Sequence, residues 1–214
     1  MTTTRTAGRG RPPAASRELL QEAAFELFVE NGYLGTTVDQ IATRAGVSRN
    51  TFFNYFDAKG DVFWVELDGI TERLKAALTD ELSDVASPVS SSSAVATGSA
   101  TLVDSATIAI RNAVLTAIAP LESEHVPFVL TQYDLIGSIT ELQASAMSRF
   151  ATQSRLLSEH LRRSGVVPAA ARAQAYSLIA CVIAAAQEWA QAGLQRGRLE
   201  PHVQRAIDSA LSAE

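Results

Sequence analysis

Between Thr37 and Phe56 the chain reads TVDQIATRAGVSRNTFFNYF, and no other stretch restricts the fold as much. Thr37 and Gln40 have the spacing of a capping box, so a helix is expected to begin just after Thr37. Gly46 falls where that helix must turn after barely two turns, and Ser48 can cap a third short helix running to about Tyr55. Two helices this short hold a steep mutual angle when a small residue faces the partner and a glycine carries the turn. Ala42 and Gly46, four residues apart, supply both, and Ile41, Val47 and Phe52 supply the apolar wedge. The stretch reads as a helix-turn-helix.

Six of the chain's 14 aromatic residues lie between Gly46 and Trp64: Phe52, Phe53, Tyr55, Phe56, Phe63 and Trp64. Polar residues are threaded among them. The i, i+4 spacing of Phe52 and Phe56 assigns both to the inside, which turns Arg49, Asn50, Phe53 and Asn54 outward. That outer face suits a DNA major groove. Arg grips guanine O6 and N7, Asn pairs with adenine N6 and N7, and each such contact is worth roughly 1–3 kcal/mol of discrimination. Phe53 has no hydrogen bond to offer and can pack on thymine methyls or sugars. Thr37, Ser48, Thr51 and Tyr55 carry hydroxyls, and with Lys59 they are placed to hold the flanking phosphates. Capping is a second use for Thr37 and Ser48, compatible with the first.

Helical periodicity continues on both sides. In SRELLQEAAFELFVENG, residues Leu20, Ala23, Ala24, Leu27 and Phe28 make one apolar face, with Ser16 as cap and Asn31-Gly32 as stop. A longer amphipathic helix is expected from about Lys59 to Leu82. The run 83–99, with seven Ser, reads as a linker or mobile loop. Further helices are expected at about 100–118, 124–136, 138–164, 168–194 and 199–213. No run has the alternation that strands need. The chain is therefore expected to be all-α, with about nine helices in two parts: a helix-turn-helix domain over 16–58 and a bundle over 59–214. Residues 1–15 precede them as a disordered basic arm.

Charge follows the same division. The whole chain carries −5, yet residues 1–60 hold seven Lys/Arg against six Asp/Glu and the remainder 11 against 17. The first 17 residues contain four Arg and no acid, so the arm can lie along phosphates or stay a solvated tail. The longest unbroken apolar run, Leu178–Ala186, is nine residues against about 20 for a membrane span. With no apolar stretch near the N-terminus and the single Cys181, a cytoplasmic protein without a membrane partner is expected.

The segment Thr36–Val62 resembles the DNA-binding region of the TetR family of transcriptional regulators: capped helix, glycine turn, aromatic-rich third helix, then a Lys. The resemblance covers about the first 65 residues. It implies three DNA-binding helices, a variable ligand-binding bundle and a homodimer made by the last two helices. By position it implies that Thr37, Ser48, Arg49, Asn50, Thr51, Phe53, Asn54, Tyr55 and Lys59 contact DNA. Where many members carry Tyr and His this chain has Phe53 and Tyr55, so one phosphate-binding hydroxyl is lost and another gained. A narrower resemblance, in GRPPAASR, VSRNTFFNYF and KGDVFWVELDGITERLKAAL with Asp61, Val62, Trp64 and Asp68, is to regulators of the mycofactocin-system type. It implies a long-chain acyl-CoA effector. Trp64 also has a purely structural reading, packing one domain on the other.

Candidate ligand-binding residues in the bundle are Arg111, Phe128, Tyr133, Phe150 and Trp189. An apolar space between Ala-rich helices commonly takes a hydrophobic ligand, although aromatics at helical spacing are more often core. Arg111, on the otherwise apolar ATIAIRNAVLTAI, either meets an acidic head group or pairs with an acid such as Asp104 or Glu141. Helix 168–194 is apolar on more than one face. Ile179, Val182, Ile183 and Ala186 are therefore candidates for a two-fold interface, with the core of a monomer as the alternative. Histidines 125, 160 and 202 fit no metal-ligand spacing and are expected on the surface. No cofactor and no catalytic residue is expected.

These readings converge on a ligand-responsive DNA-binding repressor, homodimeric, released from a pseudo-palindromic operator by a small hydrophobic effector. The competing reading is an all-helical acyl-ligand carrier or enzyme with a vestigial helix-turn-helix. Against it, the chain shows no nucleophile elbow, phosphate loop or His/Cys/Asp cluster.

Overall fold

The computed structural model describes residues 17–85, 99–121 and 126–211. The basic arm 1–15, most of the Ser-rich run and His125 lie outside the described residues. Ten α-helices and two 3₁₀ turns are present among the described residues, and no strand. The helices are α1 (Arg17–Gly35), α2 (Val38–Arg44), α3 (Arg49–Phe53), α4 (Val65–Val85), α5 (Ser99–Ile118), α6 (Phe128–Thr131), α7 (Tyr133–Ser138), α8 (Thr140–Arg163), α9 (Pro168–Gln191) and α10 (Glu200–Leu211). They form two compact units, one ending at Val65 and one beginning at Glu66.

The first unit is α1, α2, α3 and the 3₁₀ turn Lys59–Trp64 around an aromatic core. Phe28 and Phe63 stack at 5.4 Å with planes 10° apart, and Phe25 and Tyr33 tilt against Phe63 at 6.0 and 5.7 Å. This packing explains why Lys59–Trp64 stays with the first unit, beyond the expected boundary at residue 58. Val62, Phe63 and Trp64 are buried, and the buried Gln21 donates its Nε2–H to the Val62 carbonyl at 3.0 Å. The expected long helix from Lys59 is thus a 3₁₀ turn followed by α4. Asp61 supplies the reason, because its carboxylate accepts from the Asp57 and Ala58 amides and tightens the entry.

The end of α1 also departs from expectation. Helical pairing runs on to Gly35 across a kink at Gly32, which has φ 73° and ψ 162°. Thr36, 1% exposed, closes that end by donating its hydroxyl to the Gly32 and Leu27 carbonyls at 2.9 and 3.1 Å. Thr36→Val keeps the shape and removes the donor, so a loss of about 1–2 kcal/mol is expected in thermal or urea unfolding.

The second unit is a helical bundle. Leu74 and Leu78 of α4, Ile110 and Val114 of α5, Leu157 and Leu161 of α8, Leu178 and Trp189 of α9, and Val203 and Ile207 of α10 share one core. The expected helix over 124–136 is instead α6 and α7. Pro127 disfavours helix in the residue before it, and Gln132 sits outside the helical region at φ −113° and ψ 27°. At the end of α8 the Gly165 and Val166 amides bond back to the Arg162 and Leu161 carbonyls, with Gly165 at φ 92°. That is a Schellman stop, and it produces the tight connection to α9. By length and mean hydropathy α9 is long and apolar enough to cross a membrane, although its longest unbroken apolar run is nine residues between Ser177 and Gln187. It is packed against α8 and α10 instead, with Ala171, Ala175, Leu178, Ile179, Ala185, Ala186 and Trp189 buried.

Candidate nucleic-acid interface

The outward face of α3 is set by the caps and the turn that precede it. At the close of α2, the Gly46 and Val47 amides donate to the Thr43 and Ala42 carbonyls at 3.1 and 2.9 Å, with Gly46 at φ 70°. Ala42, 2% exposed, leaves room for this reversal. Ser48 then accepts from the Thr51 amide at 3.1 Å and starts α3. The capping box at Thr37 is complete: the Gln40 amide donates to Thr37 Oγ1 at 3.3 Å, and the Thr37 amide to Gln40 Oε1 at 2.7 Å. The starts of α2 and α3 are therefore set by side chains that the sequence makes visible.

Phe52 is fully buried and Phe56, just beyond α3, nearly so, while Arg49, Asn50 and Phe53 of α3 and its C-cap Asn54 are exposed. Thr37 and Ser48 are exposed, and Thr51, Tyr55 and Lys59 are half-buried. Arg49 has two partners on this surface. Its Nη1 pairs with the Asp39 carboxylate of α2, and its guanidinium lies 5.4 Å from the centre of the Phe53 ring. Phe53 in turn meets Phe52 edge-on at 5.5 Å and 84°. Phe53 thus has a structural task that its sequence position did not disclose, since it carries the guanidinium beside it.

The Arg49–Asp39 pair does not lock the arginine away. Its side chains are 57% and 62% exposed, and such a pair is worth about 0–1 kcal/mol. A bidentate guanine contact is worth roughly 1–3 kcal/mol, more than this pair, so the pair leaves the guanidinium available. Asp39→Asn removes both the competitor and a negative charge facing the same surface. It is expected to raise DNA affinity for all sequences several-fold at low salt, read by fluorescence anisotropy.

Lys59 is more deeply engaged than a simple phosphate contact. Its Nζ donates to the Tyr33 and Thr36 carbonyls at 2.7 and 2.8 Å and lies 4.1 Å from the Tyr33 ring centre. At least two of its three donors therefore hold the end of α1. Sequence reasoning also missed Arg44, whose guanidinium bridges Glu26 and Glu30 of α1 at 2.9 and 2.7 Å. The Arg44 hydrogen bond holds the Glu30 carboxyl below the usual carboxylate range. No sequence spacing marks that pairing, because 14 residues separate Glu30 from Arg44.

In the second unit the candidate ligand residues have separate surroundings. Arg111 pairs with Asp208 of α10 at 3.2 Å, neither of the acids expected from sequence. Trp189 is 0% exposed and donates its indole N–H to the Gly197 carbonyl at 2.9 Å, which commits it to the core. Phe150 stacks on Tyr176 at 5.5 Å, Phe128 is half-buried in α6, and Tyr133 is 56% exposed. The four candidate interface residues also divide. Ile179 and Ala186 are buried in the bundle, Val182 packs against it, and Ile183 faces out at 40% exposure. His160, expected on the surface, is 6% exposed because α8 turns it toward the side of Leu157 and Leu161.

A model of bacterial regulatory proteins of the tetR family matches residues 20–63, and a model of the MftR C-terminal domain matches residues 104–212. The transcriptional regulator TcmR of Streptomyces glaucescens is 40% identical over 70 residues, which is 33% of this chain and 31% of TcmR. A Mycobacterium tuberculosis protein assigned as the mycofactocin biosynthesis transcriptional regulator MftR is 30% identical over 69 residues, 32% of this chain and 35% of that one. The matched segments thus span about a third of each curated relative. Among solved structures, the FadR repressor of Thermus thermophilus in complex with lauroyl-CoA has a TM-score of 0.54 at 23% identity. That alignment covers 92% of this chain and 93% of FadR.

Proposed function

The chain belongs to the TetR family of bacterial regulatory proteins, and on that premise we propose that it is a homodimeric repressor which reads operator DNA through α3. The observation that carries this reading is the division of α3, with Phe52 fully buried beneath an exposed Arg49, Asn50 and Asn54. A helix in a core needs no such face, and a major groove does. Thr37, Ser48, Thr51 and Tyr55 take flanking phosphates, and Lys59 holds α1 in place while lending its charge to the same surface. Two copies of α3, set about 34–36 Å apart, read a pseudo-palindromic site.

The dimer forms on the outward face of α9. Tyr176 and Ile183 are 49% and 40% exposed there, and Ala180 and Ala184 are small exposed neighbours that let a second helix approach. Ile183→Glu places a charge at the centre of that face. The expected result in sedimentation equilibrium is a folded monomer, with operator affinity reduced by two orders of magnitude or more. An unchanged dimer would move the interface elsewhere.

The effector is a small hydrophobic molecule that favours a different spacing of the two heads. A long-chain acyl-CoA is the class we assign, on the resemblance to MftR-type regulators and the lauroyl-CoA held by the Thermus FadR. Binding to the protein's own promoter region, measured at rising salt, tests the reading. A specific complex whose affinity falls steeply with salt, and which oleoyl-CoA dissolves, is expected. Equal binding to unrelated duplexes would refute it.

A further inference from the structure

Between α4 and α8 of the second unit lies a groove of about 260 Å³. Its apolar lining comes from Leu78 of α4 and Leu156 of α8, and Lys75, Arg155 and Arg163 line it with positive charge. Glu159 is the one acid in the lining, and it is already held by Arg162 and Arg163 at 3.3 and 3.2 Å. Lys75 meets Glu72 only loosely, at 3.8 Å with both side chains exposed. Arg155 is exposed and makes no ion pair or hydrogen bond among the described residues.

The second observation concerns His160, which also lines the groove. It is 6% exposed, and its Nδ1 is shut from solvent with no hydrogen-bond partner among the described residues. Burial, with the Arg163 charge in support, holds this imidazole below its ordinary pKa, so at neutral pH it is an uncharged hydrogen bonder. Leaving such a nitrogen unsatisfied is costly, and nearly all buried polar groups in folded proteins find a partner. That nitrogen is out of reach of a groove ligand, so the site consists of a cationic rim over an apolar lining, shaped for something with a charged head and a short apolar body.

We propose that the α4/α8 groove binds a small amphiphilic anion, its apolar body against Leu78 and Leu156 and its carboxylate or phosphate against Arg155, Lys75 and Arg163. The volume lies just under the range of drug-sized ligand pockets, which favours a short alkyl or aromatic anion over a whole acyl-CoA. The anionic head gains charge-assisted hydrogen bonds from guanidinium groups that otherwise face water or share one acid. Any consequence for operator release rests on the regulator reading, whereas the binding itself does not.

Calorimetric titration of the full chain with octanoate, octyl phosphate and inorganic phosphate tests the site. Two variants accompany it, Arg155→Ala to remove the free cation and Thr152→Trp to fill the groove from an exposed position that folding does not use. Saturable binding of either alkyl anion, weakened at least tenfold by Arg155→Ala and abolished by Thr152→Trp, is expected, and the tighter of the two identifies the head group. Circular dichroism confirms that both variants fold. Absence of saturation by both alkyl anions, a less than tenfold loss in Arg155→Ala, binding that persists in Thr152→Trp, or inorganic phosphate binding as tightly as octyl phosphate would overturn the proposal. No DNA enters this titration, so its failure leaves the repressor reading standing, and a failed operator experiment leaves the groove standing.

Discussion

Phe52→Ala is expected to unfold the α1–α3 unit and abolish operator binding, although Phe52 itself is 0% exposed and cannot touch DNA. Its ring meets Phe53 edge-on at 5.5 Å and Phe56 at 5.3 Å. Truncating a buried Phe costs about 3–5 kcal/mol. The unit that must absorb this has fewer than 70 residues, and domains of that size sit at the low end of the usual 5–15 kcal/mol of stability. The bundle has its own core and should keep its helices. Circular dichroism is expected to show a partial loss of helix at 25 °C and a surviving transition at higher temperature, with no complex in gel shift. Phe52→Leu, which retains most of the volume, should restore measurable binding. Full operator affinity with an unchanged melt in the alanine variant would mean that α3 does not depend on this core.

Arg49→Ala has the next largest expected effect, and of a different kind. Stability should change little, because the Arg49–Asp39 pair is exposed. Operator affinity should fall by about 1–3 kcal/mol per half-site, roughly 5–150-fold, with discrimination lost at one base position. Non-specific affinity should fall far less. Phe53→Leu is a graded version, because it removes the ring that holds the guanidinium, a contact worth about 0.5–1 kcal/mol at an exposed site. In a double-mutant cycle the two substitutions are expected to couple, since Phe53 acts through Arg49. Strict additivity would instead make Phe53 an independent contact with thymine methyls.

Much of the candidate site was legible because its parts are local. The caps at Thr37 and Ser48, the reversal at Gly46 and the inward placing of Phe52 and Phe56 all depend on residues within four or five positions of one another. Chain periodicity records relations at that range. The Glu30–Arg44 bridge, the hold of Lys59 on Tyr33 and Thr36, and the pairing of Arg111 with Asp208 span 14 to 97 residues and leave no mark in any local pattern. The break between α6 and α7 is a different case, because it falls at Gln132, a residue that carries no breaking signal of its own.

The sequence by itself determined the helical class, the position of the turn and which face of α3 points outward, because each follows from backbone chemistry and from burial over a single turn of helix. Tertiary structure alone decided which apolar residues were spent internally. Helix α9 is apolar on several sides, and only the packing of α8 and α10 against it shows that Ile179, Ala186 and Trp189 are consumed by the bundle, that Tyr176 is half-used by Phe150, and that Ile183 faces out. The same holds for His160, which shares a side of α8 with Leu157 and Leu161 and is buried because the bundle packs against that side. Hydrophobicity specifies that a side chain will leave water, but the partner it finds depends on distant segments arriving together, and that arrangement exists only once the chain has folded.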